Sequence, residues 1–207
     1  GSSVNFFRSG SGCANTGELP GVALHEYGHG LDGNDGNGSS PDNGTGETYG
    51  DITAALATHQ SCIGNGFLSS NCSGYGNACT ACTGVRDIDW AKHSNNVPST
   101  VGNFTQTICP NPSASNPNYK GPCGKEGHCE SLVSSEAVWD LAARDLPNPG
   151  TGAAWAIVDR LWYLSRSTAT AAFTCVKTTT PWTANGCSTG SLWRGFRAVD
   201  DDAGNLP

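Results

Sequence analysis

Hydrophobic residues recur three and four positions apart in four stretches of the chain, which is the spacing of one face of an α-helix. The pattern predicts four helices, over residues 17–33, 47–59, 128–146 and 152–165. Pro20 suits the first turn of the first of these helices. A short strand is predicted over residues 3–8, where β-branched and aromatic residues precede SGSG. We therefore expect an α+β fold that is mainly helical.

Polar stretches separate these elements. Residues 33–46 contain almost nothing that could pack, which predicts an exposed loop. Residues 61–126 are rich in Cys, Gly and Asn, so we expect an irregular region held by disulfides rather than by a deep core. The sequence contains no internal repeat and no long linker. We expect one domain over residues 1–207, in three parts: 1–60, 61–126 and 127–207.

Ten cysteines are distributed along the chain. An even number spread across loops predicts up to five disulfides and an oxidising, extracellular environment, although the pairing cannot be deduced from the sequence. Cys79 and Cys82 have the spacing of a redox pair or a zinc knuckle. With so many other cysteines present, we expect both to form structural disulfides instead.

The overall charge narrows the class of partner. The formal net charge is -7. Proteins that bind nucleic acids or anionic membranes usually carry clusters of Lys and Arg, so an acidic chain is a poor candidate for either partner. No apolar run approaches the ~20 residues of a membrane-spanning helix. We therefore expect neither nucleic-acid binding nor membrane insertion.

The segment HEYGHGLD in the first predicted helix contains two histidines four residues apart. Residues at this spacing lie on one helical face, so His25 and His29 could bind the same metal ion. Zinc hydrolases use this arrangement, with the intervening glutamate, here Glu26, as the base that takes a proton from water. Two histidines alone also fit a chance arrangement, so further ligands must come from elsewhere in the chain.

A catalytic zinc site usually has three protein ligands and one open position. Glu47, near the start of the second predicted helix, is the candidate third ligand. Asp51 lies one turn further on the same face, where its carboxylate could accept a hydrogen bond from a ligand histidine and fix its orientation. The alternative is a solvated pair of acidic residues.

HEYGHGL followed by GETYGD resembles the gluzincin metallopeptidases, which are thermolysin-like and, more closely, fungalysin-like enzymes. The segment GVRDID resembles the family segment that carries a substrate-binding arginine, which implies that role for Arg86. GHCESLVSSEAVWDL resembles the later helix that opens with a catalytic, oxyanion-stabilising histidine, which implies that role for His128. The resemblance implies a gluzincin-type catalytic domain with a reduced N-terminal sheet and disulfide-tied loops.

The chain also departs from this family. The loop before Glu47 contains no tyrosine to share in oxyanion binding, and Glu126 replaces the aspartate expected before His128. Only the predicted strand over residues 3–8 precedes the zinc helix, where the family has a larger sheet.

These observations predict a secreted zinc endopeptidase, monomeric and acting on protein or peptide substrates, with one catalytic Zn²⁺. A non-catalytic extracellular binding module derived from a peptidase is the alternative. An aminopeptidase of the same clan would need an acidic anchor for the free amine, and no such motif is visible. The acidic stretches at residues 32–42 and 200–202 could hold Ca²⁺, although neither has the alternation of an EF-hand loop.

Overall fold

The computed structural model of the protein describes residues 3–36 and 38–200. It contains five α-helices in this range: α1 (Pro20–Asp32), α2 (Asn43–Thr58), α3 (Gly127–Asp140), α4 (Gly152–Ser165) and α5 (Leu192–Asp200). Two small antiparallel sheets pair β1 (Cys62–Ile63) with β2 (Arg86–Asp87) and β3 (Thr174–Val176) with β4 (Thr183–Asn185). The mixed, mainly helical fold is as predicted. None of the described helices is long and apolar enough to cross a membrane.

Three predictions of local structure are wrong. Residues 3–8 form no strand, because their backbone makes no ladder with another segment. The loop predicted over residues 33–46 ends early, since α2 begins at Asn43, where Asp42 caps it by accepting a hydrogen bond from the Thr45 amide at 2.8 Å. Helix α5 lies in a stretch for which no helix was predicted.

Helix α2 runs through the interior of the fold. Most of its residues are buried, including polar ones such as Thr48, because it packs against α1 on one side and α3 on another. Ile52 and Tyr49 belong to the main core, and Tyr49 packs on Trp162 of α4 with ring centroids 4.7 Å apart. Small residues on α2 permit this close approach on several sides. The helix is therefore a central support on which a site can be built.

The backbones of α1 and α2 touch at two glycines. A Cβ atom on Gly28 would lie 2.7 Å from the Cα atom of Gly50 and 2.8 Å from the carbonyl oxygen of Tyr49. A Cβ atom on Gly50 would lie 2.5 Å from ring atoms of His25. Both distances are too short for a side chain, so only glycine allows the helices to approach this closely. The contact places the histidines of α1 directly against the acidic face of α2.

Gly50→Ala is therefore expected to displace His25 and weaken zinc binding by roughly 10–100-fold, the loss typical when a ligand is no longer held in orientation. Gly30→Ala is the control, because a Cβ atom at Gly30 of α1 meets nothing within 4 Å. That change should stabilise the fold by about 0.5–1 kcal/mol through helix propensity and leave zinc affinity unchanged. Competition with a chromogenic chelator measures both affinities. Equal zinc affinity in the two variants would contradict the role given to Gly50.

Four disulfides tie the loops together: Cys62–Cys82, Cys72–Cys79, Cys109–Cys129 and Cys123–Cys175. Cys79 and Cys82 are both oxidised, as expected, but to different partners. The close grouping of Cys72, Cys79 and Cys82 is consequently no metal site, since disulfide sulfurs are not thiolate ligands. Cys13 and Cys187 are free, so the structure has four disulfides of the five that ten cysteines allow.

A buried carboxyl on α3 anchors the segment before residue 100. Glu136 is 2% exposed and accepts hydrogen bonds from the Ser99 amide at 2.7 Å and the Ser99 hydroxyl at 2.9 Å. Burial raises the pKa of Glu136 to about 8, and the two hydrogen bonds from Ser99 only partly oppose that rise. The carboxyl therefore favours its protonated form in the folded chain.

This shift gives the fold a pH dependence. Because the folded pKa of about 8 lies above the ordinary value of 4.5, the stabilisation from Glu136 is complete below 4.5 and is lost as the pH rises through 8. Relative to Glu136→Gln, the wild-type free energy of unfolding should fall by on the order of 2 kcal/mol between pH values of about 5 and 9. Urea denaturation of both proteins across this range measures the difference. A difference that is flat with pH would contradict the assignment.

Candidate metal centre

Three side chains from α1 and α2 converge on one point. The Nε2 atoms of His25 and His29 lie 3.1 Å apart. The carboxylate of Glu47 lies 3.3 Å from Nε2 of His25 and 3.5 Å from Nε2 of His29. Tetrahedral zinc with bonds of about 2.0–2.1 Å requires ligand atoms about 3.3–3.4 Å apart. The three predicted ligands are therefore brought together, and their spacing fits zinc.

The sequence produces this convergence through two local features. His25 and His29 are four residues apart in α1, so their rings lie on the face that contacts α2. Glu47 lies in the second turn of α2, opposite them and 2% exposed. The loop between Asp32 and Asn43 reverses the chain, so that α2 packs against α1 at Gly28 and Gly50.

Asp51 and Arg86 lie directly behind the ligands. Oδ1 of Asp51 is 3.1 Å from Nδ1 of His25, although the approach lacks the alignment of a full hydrogen bond. Nε of Arg86 donates to both carboxylate oxygens of Asp51 at 2.9 Å, and its Nη2 donates to Glu47 at 2.7 Å. Asp51 thus occupies the predicted position next to a ligand histidine. Strand pairing of β1 with β2 supports Arg86 from the other side.

Arg86 is 4% exposed, and its charge is directed at the two carboxylates. The guanidinium nevertheless borders the cleft described below, so the implied substrate-binding role stays a prediction. Its structural role is clear: a buried cation compensates two buried anions, which would otherwise be costly to remove from water.

The electrostatics of the centre favour bound cations. Burial alone would raise the pKa of Glu47, but contacts with His25, His29 and Arg86 outweigh it and hold the pKa well below its usual range. Burial would lower the pKa of His25, yet the close carboxylates of Asp51 and Glu47 raise it to about 9. The two shifts have one cause, the mutual attraction between the carboxylates and the cationic groups of the centre, and a metal ion would replace the proton on His25.

His128 lies on the open side of the centre, at the start of α3. Its Nδ1 is 2.6 Å from Oε1 of Glu126, and its Nε2 is 3.4 Å from Oε1 of Glu47. Contacts with His128 outweigh the effect of burial and lower the pKa of Glu126, which is therefore an anionic partner that orients the imidazole. The carboxylate that replaces the expected aspartate thus contacts His128.

Tyr119 is a site residue that the sequence analysis missed. Its hydroxyl contacts Oε1 of Glu47 and lies 3.3 Å from Nε2 of His128, with the two rings stacked at 4.7 Å. Burial and the neighbouring Glu47 raise the pKa of Tyr119 above its ordinary value, so the phenol stays protonated and can donate a hydrogen bond. Tyr119 lies in a Pro- and Asn-rich tract without periodicity, and no local pattern distinguishes it.

A cleft of about 340 Å³ opens beside these groups. Glu26, His25, Arg86 and His128 line part of it. The remainder is mostly apolar and is formed by Phe7, Val22, Ile63, Phe67, Tyr75 and Val85, with Thr16 at its edge. Glu26 therefore faces a space that could admit a peptide beside the metal ligands.

The acidic stretch at residues 32–42 makes contacts within the chain. Asp32 accepts hydrogen bonds from the Ser40 amide at 3.0 Å and the Ser40 hydroxyl at 2.7 Å, and Asp42 caps α2. Across residues 3–36 and 38–200, these acids do not form a converging ligand group. Asp201 and Asp202 lie outside the described residues. Calcium binding stays a prediction.

Comparison of the chain with protein-family models finds no match. Searches among curated proteins and among solved structures find no match either. The interpretation of these residues as a metal site therefore depends on their geometry.

Removal of metal provides a direct test of the centre. Zinc should raise the unfolding temperature of chelator-treated protein, because it binds the folded arrangement of ligands and not the unfolded chain. Glu47→Gln should weaken zinc binding by about 100-fold or more, because removal of a ligand costs more affinity than removal of a residue that only supports a ligand. Glu18→Gln, at an exposed glutamate just before α1, is the matched control. Calorimetric titration with Zn²⁺ measures both variants, and equal affinities would exclude Glu47 as a ligand.

Proposed function

We propose that the protein is a secreted zinc-dependent endopeptidase. The observation that carries the proposal is a converging His₂Glu group whose first histidine, His25, lines the same cleft as Glu26, Arg86 and His128. The ligands are His25, His29 and Glu47. The four disulfides support an oxidising environment, which is consistent with secretion.

Zinc bound by these ligands would polarise the scissile carbonyl and lower the pKa of the attacking water. Glu26 is the general base: it takes a proton from that water and then delivers it to the leaving amine. Its position one residue after His25 puts it on α1 beside the ligands, and it lines the cleft.

His128 and Tyr119 are the donors to the oxyanion that develops as water attacks. Their donor atoms lie 3.3 Å apart on the same side of Glu47, so both can reach one oxygen once the Tyr119 hydroxyl turns from Glu47 to the oxyanion. Donors fixed before the reaction stabilise the transition state more than the ground state. Glu126 orients His128 through its contact with Nδ1. This assignment gives a role to the tyrosine that the sequence motifs did not reveal.

The apolar lining of the cleft supports a peptide substrate. Val22, Ile63, Phe67 and Val85 provide a surface for an apolar side chain, while Arg86 borders the same space with a cationic group. A pocket with this lining and a few polar groups suits an extended chain with a hydrophobic residue next to the scissile bond. We therefore include proteins and peptides with apolar residues in the substrate class.

Glu26→Gln tests the catalytic role. The variant should bind one zinc as the wild type does and lose roughly 10²–10⁴-fold in kcat, the usual contribution of a general base. Glu18→Gln should match the wild type in both zinc content and kcat. Hydrolysis of a fluorogenic peptide library, together with elemental analysis, measures the two quantities.

The two measurements also separate the alternatives. A wild-type protein that binds zinc but cleaves no peptide would favour the non-catalytic binding module. A protein that cleaves equally well after Glu26→Gln would contradict the proposed mechanism.

A further inference from the structure

Tyr119 and Glu126 are the two ends of one turn, residues 119–126. The Gly127 amide donates to the Tyr119 carbonyl at 3.3 Å, and Lys120 pairs with Glu126 across the turn. The ends of this turn therefore set where the tyrosine hydroxyl and the partner of His128 lie. Neither end lies inside a helix, so helical hydrogen bonds do not hold the turn, and contacts with other side chains must fix it.

The carboxylate of Glu130 occupies the inside of this turn. Glu130 is fully buried at 0% exposure and lies in the first turn of α3. One of its oxygens accepts the Cys123 amide at 2.7 Å, and the other accepts the Lys125 amide. A Cβ atom on Gly121 would lie 2.7 Å from Cβ and Oε2 of Glu130, so the backbone is closed tightly around the acid.

We propose that Glu130 is a positioning residue for catalysis: by binding the backbone of the 119–126 turn, it holds Tyr119 and Glu126 in place around His128. The inference rests on the proposed peptidase function and adds a residue that does not itself touch the substrate or the metal. A buried carboxylate that accepts two amide hydrogens fixes both halves of a turn at once. Its effect should therefore appear in the orientation of the donors and not in the metal ligands.

The turn contacts α2 through the Tyr119 hydroxyl on Glu47 and through the Lys120 carbonyl, which accepts the Asn43 amide at 2.9 Å, but the metal ligands themselves belong to other segments. They lie on α1 and α2, which contact each other through Gly28 and Gly50. The disulfides Cys123–Cys175 and Cys109–Cys129 keep the turn and α3 attached to the fold when a hydrogen bond is removed. Loss of Glu130 is therefore expected to loosen the turn without unfolding the chain or releasing zinc.

Glu136 provides a matched control on the same helix. It is also a buried glutamate of α3, and it also accepts two hydrogen bonds from a loop, but that loop contains Ser99 and contributes nothing to the metal centre. Glu130→Gln and Glu136→Gln each replace one acceptor oxygen by an NH₂ group that opposes a donor. The two variants differ in which loop they disturb.

The experiment compares the two variants in the 207-residue chain, each loaded with zinc. Glu130→Gln should lower kcat by roughly 10–100-fold, the cost of misplacing supporting groups, with zinc content unchanged and KM within about threefold of the wild type. Glu136→Gln should retain the wild-type kcat. Gly121→Ala, which pushes the turn away from an intact Glu130, should reproduce the loss. Equal kcat values for Glu130→Gln and Glu136→Gln would overturn the proposal.

A second measurement does not depend on activity. In Glu130→Gln, the amides of Cys123 and Lys125 should exchange hydrogen faster, and the ring signals of His128 in NMR spectra should shift, while Glu136→Gln changes neither. Unchanged His128 signals would overturn the positioning role even if the turn exchanges faster. If the zinc-loaded wild type cleaves no peptide, the peptidase proposal fails, and the His128 signals still decide whether Glu130 positions this side of the centre.

Discussion

The backbone contact between α1 and α2 is the constraint on which the rest of the centre depends. Two glycines remove the side chains that would separate the helices, and the gap that remains is filled by the ring of His25. With the helices at this distance, the donor atoms of His25, His29 and Glu47, which come from two separate segments, lie 3.1–3.5 Å apart. The other groups of the centre are arranged around this pair, because α2 is also the helix that contacts α3.

The charge of the centre follows from its burial. Glu47 and Asp51 bring two negative charges into the interior, and Arg86 supplies one positive charge against them. One negative charge is left over, and it lies against His25, whose pKa the carboxylates raise, so a proton on His25 would compensate it. A divalent cation would perform the same compensation with directed bonds to three ligands. The proposed metal binding would thus follow from how the core is neutralised.

Sequence motifs predicted the part of the centre that is formed by residues close together in the sequence. Helical spacing places His25 with His29 and Glu47 with Asp51, and the close contact of the two helices then joins the pairs. Tyr119 could not be found in this way, because it reaches Glu47 from 72 residues away through a turn with no periodic pattern. The strand predicted over residues 3–8 failed for the opposite reason. Its composition suits a strand, but its backbone pairs with a neighbouring segment only at Phe7, whose carbonyl accepts the Thr16 amide at 3.0 Å, and one such bond is not a ladder.

The eight bonded cysteines all lie outside α1 and α2. The two helices that carry the proposed ligands are consequently held by packing, charge and hydrogen bonds, whereas the segment with Tyr119 and His128 is bounded by covalent cross-links. The two sides of the cleft thus respond differently to agents in the surrounding medium. Thiol reductants can break bonds on the cross-linked side, and at Cys62–Cys82 beside the strand that holds Arg86, whereas α1 and α2 contain no cysteine for them to attack.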